Sequence, residues 1–221
     1  PGSEITGNIT LLSVTRTAVV HDVELGEGLT GENKATYGAD FTGAIADYNA
    51  AKYNNTVNYT VGSGAAKAAT VYDEDGSFVI VGSEIKGKLR ITRTLTLRKF
   101  TVTYTGEYTG REEVEYGGNA TLPTAPTGYD YSFTAGGNSW DGRNITADVT
   151  VTVAKTAKQY NVTLGEGLSS TTAKATHGAD YVVTIAPYEP ARYTYAVKYR
   201  VNGGAEQNAA AHSANSFVIF G

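Results

Sequence analysis

The residues in this chain best suited to chemistry are aromatic. Trp140 is the only tryptophan, and it closes the stretch "GYDYSFTAGGNSW" (Gly128–Trp140), in which Tyr129, Tyr131 and Phe133 alternate. Alternate residues of a strand share one face, so these rings together with Trp140 make a candidate stacking platform for sugar. Trp140, Tyr129 and Tyr131 are therefore the candidate ligand-binding residues. The competing reading is that Trp140 anchors the core of a small module, because large aromatics dominate such cores.

Other candidates are weaker. "YDEDGS" (Tyr72–Ser77) sets three acids before a glycine, as calcium loops do, but the closing Glu of the full loop is missing. Asp-Gly alone predicts a hairpin turn there. The histidines, His21, His177 and His212, stand in three unrelated places. Matching positions elsewhere in the chain carry Tyr160 for His21 and Tyr37 for His177. A residue that exchanges with Tyr behaves as an amphipathic surface position rather than as a base or metal ligand. The sequence offers no Cys nucleophile, no Gly-x-Ser-x-Gly, no His-Glu-x-x-His and no phosphate loop. No catalytic residue, metal or cofactor is expected, and the chain is not read as an enzyme.

Composition narrows the field further. Charged residues make up 18% of the 221, against about 25% in ordinary domains. Glycine (26 residues) and tyrosine (16) are abundant, as suits an all-β protein with many turns. A net charge of −4 argues against nucleic acid, whose binding modules carry basic stripes. With no cysteine, disulfides are excluded and packing must supply stability. No apolar run approaches the roughly 20 residues that span a bilayer, so no membrane insertion is expected in this segment.

The elements that must position these residues are repeated. "HDVELGEGLTGENKATYGAD" (His21–Asp40) returns as "YNVTLGEGLSSTTAKATHGAD" (Tyr160–Asp180), and "SFVIVG" (Ser77–Gly82) returns as "SFVIFG" (Ser216–Gly221). Between these copies lies a divergent third, opening with "FTVTYTGEYTGREEVEYGGNATLP" (Phe100–Pro123). Its tail from Ile145 matches those from Ile85 and Ile5. The expected organisation is a terminal strand and linker over 1–20 and modules over 21–98, 99–158 and 159–221. Period-2 alternation marks strands at Val23/Leu25, Val57/Tyr59/Val61, Leu89/Ile91, Val102/Tyr104, Val149/Val151/Val153, Val162/Leu164 and Val197/Tyr199/Val201. "AIADYNAAKY" (Ala44–Tyr53) is Ala-rich, but its repeat contains Pro187 and Pro190. Since Pro inside a helix costs about 3 kcal/mol, both are expected to be extended chain with turns, with at most one helical turn in the first.

The middle copy resembles the Listeria–Bacteroides repeat, the internalin B-repeat type of module found in tandem in bacterial surface proteins. The resemblance rests on Val102/Tyr104, on Val114-Glu115-Tyr116-Gly117, on "LPTAPTGY" (Leu122–Tyr129), on Trp140 and on "ITADVTVTVA" (Ile145–Ala154). It covers about 55 residues. The "SFTAGGNSW" stretch departs from that family, which places its Trp just after Phe-x-Gly. What the resemblance implies is a compact β-grasp-like fold with a minor helix, export, and adhesion or a stalk role.

The expected fold class is thus all-β, three tandem small modules in an elongated array. The expected function is that of a non-enzymatic segment of an exported bacterial surface protein, extracellular or on the cell surface. The alternative is a set of carbohydrate-binding accessory modules of a larger secreted enzyme. Expected partners are a host or cell-surface protein or glycan. A further expected partner is another copy of the chain, joined head to tail: the first residues read as the last strand of a module and the third module lacks that strand. The strand around Ile5–Leu12 is expected either to lie on the first module or to complete the third module of a neighbour.

Overall fold

The computed structural model describes residues 7–221. Regular structure in them is strand, apart from one 3-10 turn, Gly82–Glu84. No helix among them is long and apolar enough to cross a membrane. The chain divides into two compact units, residues 1–99 and 100–221.

The first unit contains β1 (Val20–Leu25), β2 (Leu29–Gly31), β3 (Lys34–Thr36), β4 (Phe41–Ile45), β5 (Tyr53–Val61), β6 (Lys67–Ala68), β7 (Thr70–Val71), β8 (Ser77–Ile80) and β9 (Leu89–Leu97). They form two sheets, ordered β3-β1-β9-β5-β6 and β2-β4-β8-β7. In the first sheet β9 runs parallel to β1, with Leu89 opposite Val23 and Ile91 opposite Leu25. Its other edge runs antiparallel to the whole of β5, from Tyr53↔Leu97 to Val61↔Leu89. Alternation places Leu89, Ile91 and Val57 inward, all fully buried, where they meet Phe41, Ile45, Phe78 and Ile80 of the second sheet. Ile85, just past the 3-10 turn, is fully buried in the same core. Full burial of one such side chain is worth about 1.5–3 kcal/mol, so β9, with two of them and both its edges paired, is the keystone of this unit.

The second unit begins with β10 (Lys99–Gly106), β11 (Gly110–Glu115), β12 (Tyr129–Ala135), β13 (Asn138–Ser139) and β14 (Val149–Ala157), ordered β11-β10-β14-β12-β13. Here β14 takes the place of β9. It is parallel to β10 and antiparallel to β12, and Val151 and Val153 enter a core with Val102, Tyr104, Val114 and Ile145. Gly136 and Gly137, both at positive φ, make the two-residue turn between β12 and β13, a turn class that needs left-handed residues.

The rest of the unit holds β15 (Gln159–Asn161), β16 (Leu168–Ser169), β17 (Lys174–Thr176), β18 (Tyr181–Ile185), β19 (Lys198–Tyr199), β20 (Gln207–Asn208), β21 (Ala210–Ser213) and β22 (Ser216–Ile219). The sheet β16-β18-β22-β21 repeats β2-β4-β8-β7, down to register: Tyr181 faces Ile219 as Phe41 faces Ile80. Likewise β15 pairs β17 as β1 pairs β3.

Two expected strands are corrected here. Residues 162–164 form no strand, and of Val197/Tyr199/Val201 only Lys198–Tyr199 does, in a short hairpin with β20. The side-chain alternation is intact, but backbone is a strand only where a neighbour takes its N–H and C=O groups. In the first unit β9 does so for both corresponding segments; among the described residues nothing plays that part in 159–221. The same reason applies to the amino-terminal segment. Residues 7–19 form no strand and are exposed throughout, so their described part does not lie packed on the first unit; Ile5 falls outside the described residues.

Neither copy of the Ala-rich segment forms a helix, but both turn, where a helical turn is expected in the first alone. Asn49 O accepts hydrogen bonds from the Lys52 and Tyr53 amides, and Glu189 O from those of Arg192 and Tyr193. Each is a single helical turn, and Pro190 stands where its missing N–H is not needed.

Candidate functional site

On β12 the side chains of Tyr129, Tyr131 and Phe133 share a face by alternation, but their surroundings differ. Tyr131 and Phe133 pack on the core beside Trp140, edge to face with each other at 6.2 Å. Trp140 is held there by its amide, which donates to Phe133 O at 2.9 Å, and its ring meets Tyr104 edge-on at 6.1 Å. Tyr104 itself is buried, its hydroxyl 3.0 Å from the Glu112 carboxylate and 2.9 Å from Thr121 O. Burial, with the Glu112 carboxylate alongside, pushes that hydroxyl well above its usual pKa. Trp140 is therefore one wall of a packed aromatic group.

Tyr129 stands at the other end of β12. Its ring meets the His177 imidazole edge-on at 5.0 Å and carries the Lys155 ammonium 5.1 Å from its centre. Beneath His177 lies Gly128, buried and at φ +86°, where a Cβ would come within 2.2 Å of the imidazole Nε2. Lys158 ties the same corner: its amide donates to Gly128 O, and its carbonyl accepts from the His177 amide, both at 2.9 Å. This corner ties the start of β12 to the β14–β15 junction and the end of β17, and it holds Tyr129 and His177 together.

Of the remaining candidates, the acids of the "YDEDGS" turn have structural partners. In the "YDEDGS" turn the Asp75 carboxylate accepts from Ser77 N at 2.8 Å, which lowers its pKa. Asp73 accepts from the Tyr48 hydroxyl at 2.9 Å. His21 sits on β1 and His212 on β21. No group of three or more His, Cys, Asp or Glu side chains able to hold a metal occurs among the described residues.

The molecule does have a cavity that the sequence reading missed. About 370 Å³ in volume, it lies in residues 166–198 and is lined by Glu166, Gly167, Leu168, Ile185, Tyr195 and Val197 among others. A second, of about 330 Å³, lies beside Thr101, Arg111 and Asp148; there Asp148 already accepts from Thr101 N at 2.7 Å. The signal that locates the first cavity is the repeat itself, because its walls correspond to those that enclose β9 in the first unit.

Fold and site together define an all-β chain in which two five-stranded mixed sheets are each organised on one middle strand, with smaller antiparallel sheets beside them. Comparison with family models, curated proteins and solved structures found no match for the chain.

Proposed function

We infer that the chain is a non-enzymatic segment of an exported surface protein, three tandem small β modules in an elongated array that serves as a stalk or adhesive repeat. The observation that carries this reading is the recurrence of one arrangement. A first strand, a parallel middle strand and an antiparallel third strand occur in 20–97 as β1, β9 and β5, and in 99–157 as β10, β14 and β12. The four-stranded companion sheet of the first unit recurs in 168–219. Repeating units that stack or string together give length at low cost in sequence invention. The residues that first suggested chemistry support the same reading, since His177, Asp75 and Trp140 each complete a structural contact. The resemblance of residues 100–154 to bacterial surface repeats points to export and adhesion.

Small-angle scattering tests the stalk. A compact globule of 221 residues has a radius of gyration of about 17 Å. The array predicts a value well above that for the monomer, and a value close to it would overturn the reading.

A further inference from the structure

The five-stranded sheets of residues 20–97 and 99–157 each turn one face away from the core, and these two outer faces differ. Val102, Tyr104, Val151 and Val153 enter the core, so alternation turns Thr101, Thr103, Asp148 and Thr150 outward. Parallel pairing sets Val102 beside Val149 and Thr103 beside Thr150. In the first unit the same pairing sets Val23 beside Leu89 and Glu24 beside Arg90. Asp22, Glu24, Lys88 and Arg90 therefore hold the places of Thr101, Thr103, Asp148 and Thr150.

In the first unit those side chains satisfy one another. Lys34 pairs with Asp22, and Glu24 takes both Lys88 at 3.0 Å and Arg90 at 3.3 Å. In the second unit threonine replaces three of the four charged residues, and the fourth changes sign, from Lys88 to Asp148. Where the long side chains of Glu24 and Arg90 give way to threonine there is a groove of about 330 Å³, lined by Thr101, Thr103, Arg111, Asp148, Val149 and Thr150.

The polar groups of this groove are only partly used. Arg111 Nη2 donates to Thr101 Oγ1 at 3.2 Å, and Asp148 Oδ1 accepts from Thr101 N at 2.7 Å. Among the described residues neither Arg111 nor Asp148 has an ion-pair partner. A guanidinium only donates, a carboxylate only accepts, and a threonine hydroxyl does both. Val149 is the one apolar residue in the lining, so a hydrocarbon ligand finds little to cover. One cation and one anion cancel, so the groove favours a neutral ligand whose groups both donate and accept. Hydroxyls have that character.

We propose that this groove binds one unit of a neutral sugar. Asp148 Oδ2 accepts from ligand hydroxyls, the free N–H groups of Arg111 donate to ligand oxygens, and the hydroxyls of Thr103 and Thr150 serve either way. The volume lies at the small end of ligand sites, about 300–1,000 Å³. No aromatic ring lines the groove, so binding rests on exposed hydrogen bonds and the dissociation constant is on the order of 1 mM. Trp140 packs on the opposite, core side of the sheet and takes no part. The inference deepens the adhesive reading, on which it rests for the purpose of binding. Failure of the scattering test would remove the stalk and leave the groove, whereas failure of the titration below would remove the sugar and leave the stalk.

The experiment follows backbone amides of the full chain by nuclear magnetic resonance. The probes are the methyl glycosides of glucose, galactose and mannose, with methyl glucuronide as an anionic probe and glycine as a zwitterionic one. A neutral glycoside should shift the amides of Thr101, Thr103, Arg111 and Asp148–Thr150 saturably, and leave those of Asp22, Glu24 and Lys88–Arg90 in place. Asp148→Asn keeps an acceptor for Thr101 N and changes only the group facing the ligand; it and Arg111→Gln should each weaken binding about tenfold, with unchanged thermal midpoints. If Asp148→Asn disturbs the sheet, Thr150→Val carries the test, since valine suits a strand and removes only the hydroxyl. Absence of shifts with all three neutral glycosides would overturn the proposal. So would tighter binding of methyl glucuronide or glycine, or affinity unchanged by the substitutions.

Discussion

Asp40 and Asp180 hold matching places in two copies of the repeat, and each accepts a backbone hydrogen bond, from Gly82 N at 2.8 Å and Gly221 N at 3.2 Å. The shared Gly-Ala-Asp is thus a bracket closing the end of each "SFVI" strand, and its recurrence needs no ligand to explain it. Trp140 is judged by the same standard. Its ring fills the space beside Tyr104, Tyr131 and Phe133, so Trp140→Ala should destabilise the second unit by about 3 kcal/mol, the low end for an aromatic truncated in a core. Chemical denaturation measures this; an unchanged midpoint with loss of sugar binding would instead favour the carbohydrate reading. The exposed ion pairs set a pH window. Asp22, Glu24, Glu84 and Glu206 have lowered pKa values, caused first by hydrogen bonds from Lys34, Lys88, Lys67 and Lys198 respectively. A lowered carboxyl contributes stability that is present above its unfolded pKa and lost as pH falls through the folded one. Lys67 and Lys198 are raised by their hydrogen bonds to Glu84 and Glu206, so their contribution is lost as pH rises through the folded value. Thermal midpoints should therefore be flat between about pH 5 and 10 and decline on both sides. The declines should be shallow, because exposed pairs contribute little.

At the scale of elements, the corner of Gly128, Tyr129, Lys158 and His177 ties β12, the β14–β15 junction and the end of β17 together within the second unit. Gly128→Ala places a Cβ where the imidazole lies, at a φ that only glycine adopts freely. It should cost about 1–3 kcal/mol, the range for overpacking. Near-ultraviolet circular dichroism should report the displaced tyrosine, and an unchanged spectrum and midpoint would show that the corner carries no stability. Sequence was informative about elements where the alternation and the partner strand coincide. Val57/Tyr59/Val61, Leu89/Ile91 and Val149/Val151/Val153 all form strands at the expected places. It misled at Val162/Leu164 and Val197/Tyr199/Val201, because alternation belongs to a segment whereas a hydrogen-bond ladder belongs to a pair. It was silent on the cavity for the same reason: Tyr195 and Leu168 look unremarkable until the strand that covers their counterparts is located. Tyr129 was legible as an aromatic on the face of a strand. Its partner His177, 48 residues on in the numbering, was not.

For the whole molecule, one strand arrangement is used repeatedly, complete in residues 20–97 and 99–157 and, among the described residues, without its middle strand in 159–221. The proposed role as a surface array depends on that recurrence. Amide hydrogen exchange on the intact chain, followed by mass spectrometry across a dilution series, tests it most directly, because it reads all the copies in one sample. At the lowest concentration, amides of Asn54–Val61 and Leu89–Leu97 should be protected by orders of magnitude, and so should those of Val149–Ala157, while Val162–Leu164 and Val197–Val201 exchange quickly. Protection of Val197–Val201 equal to that of Val57–Val61 at the lowest concentration would contradict the account.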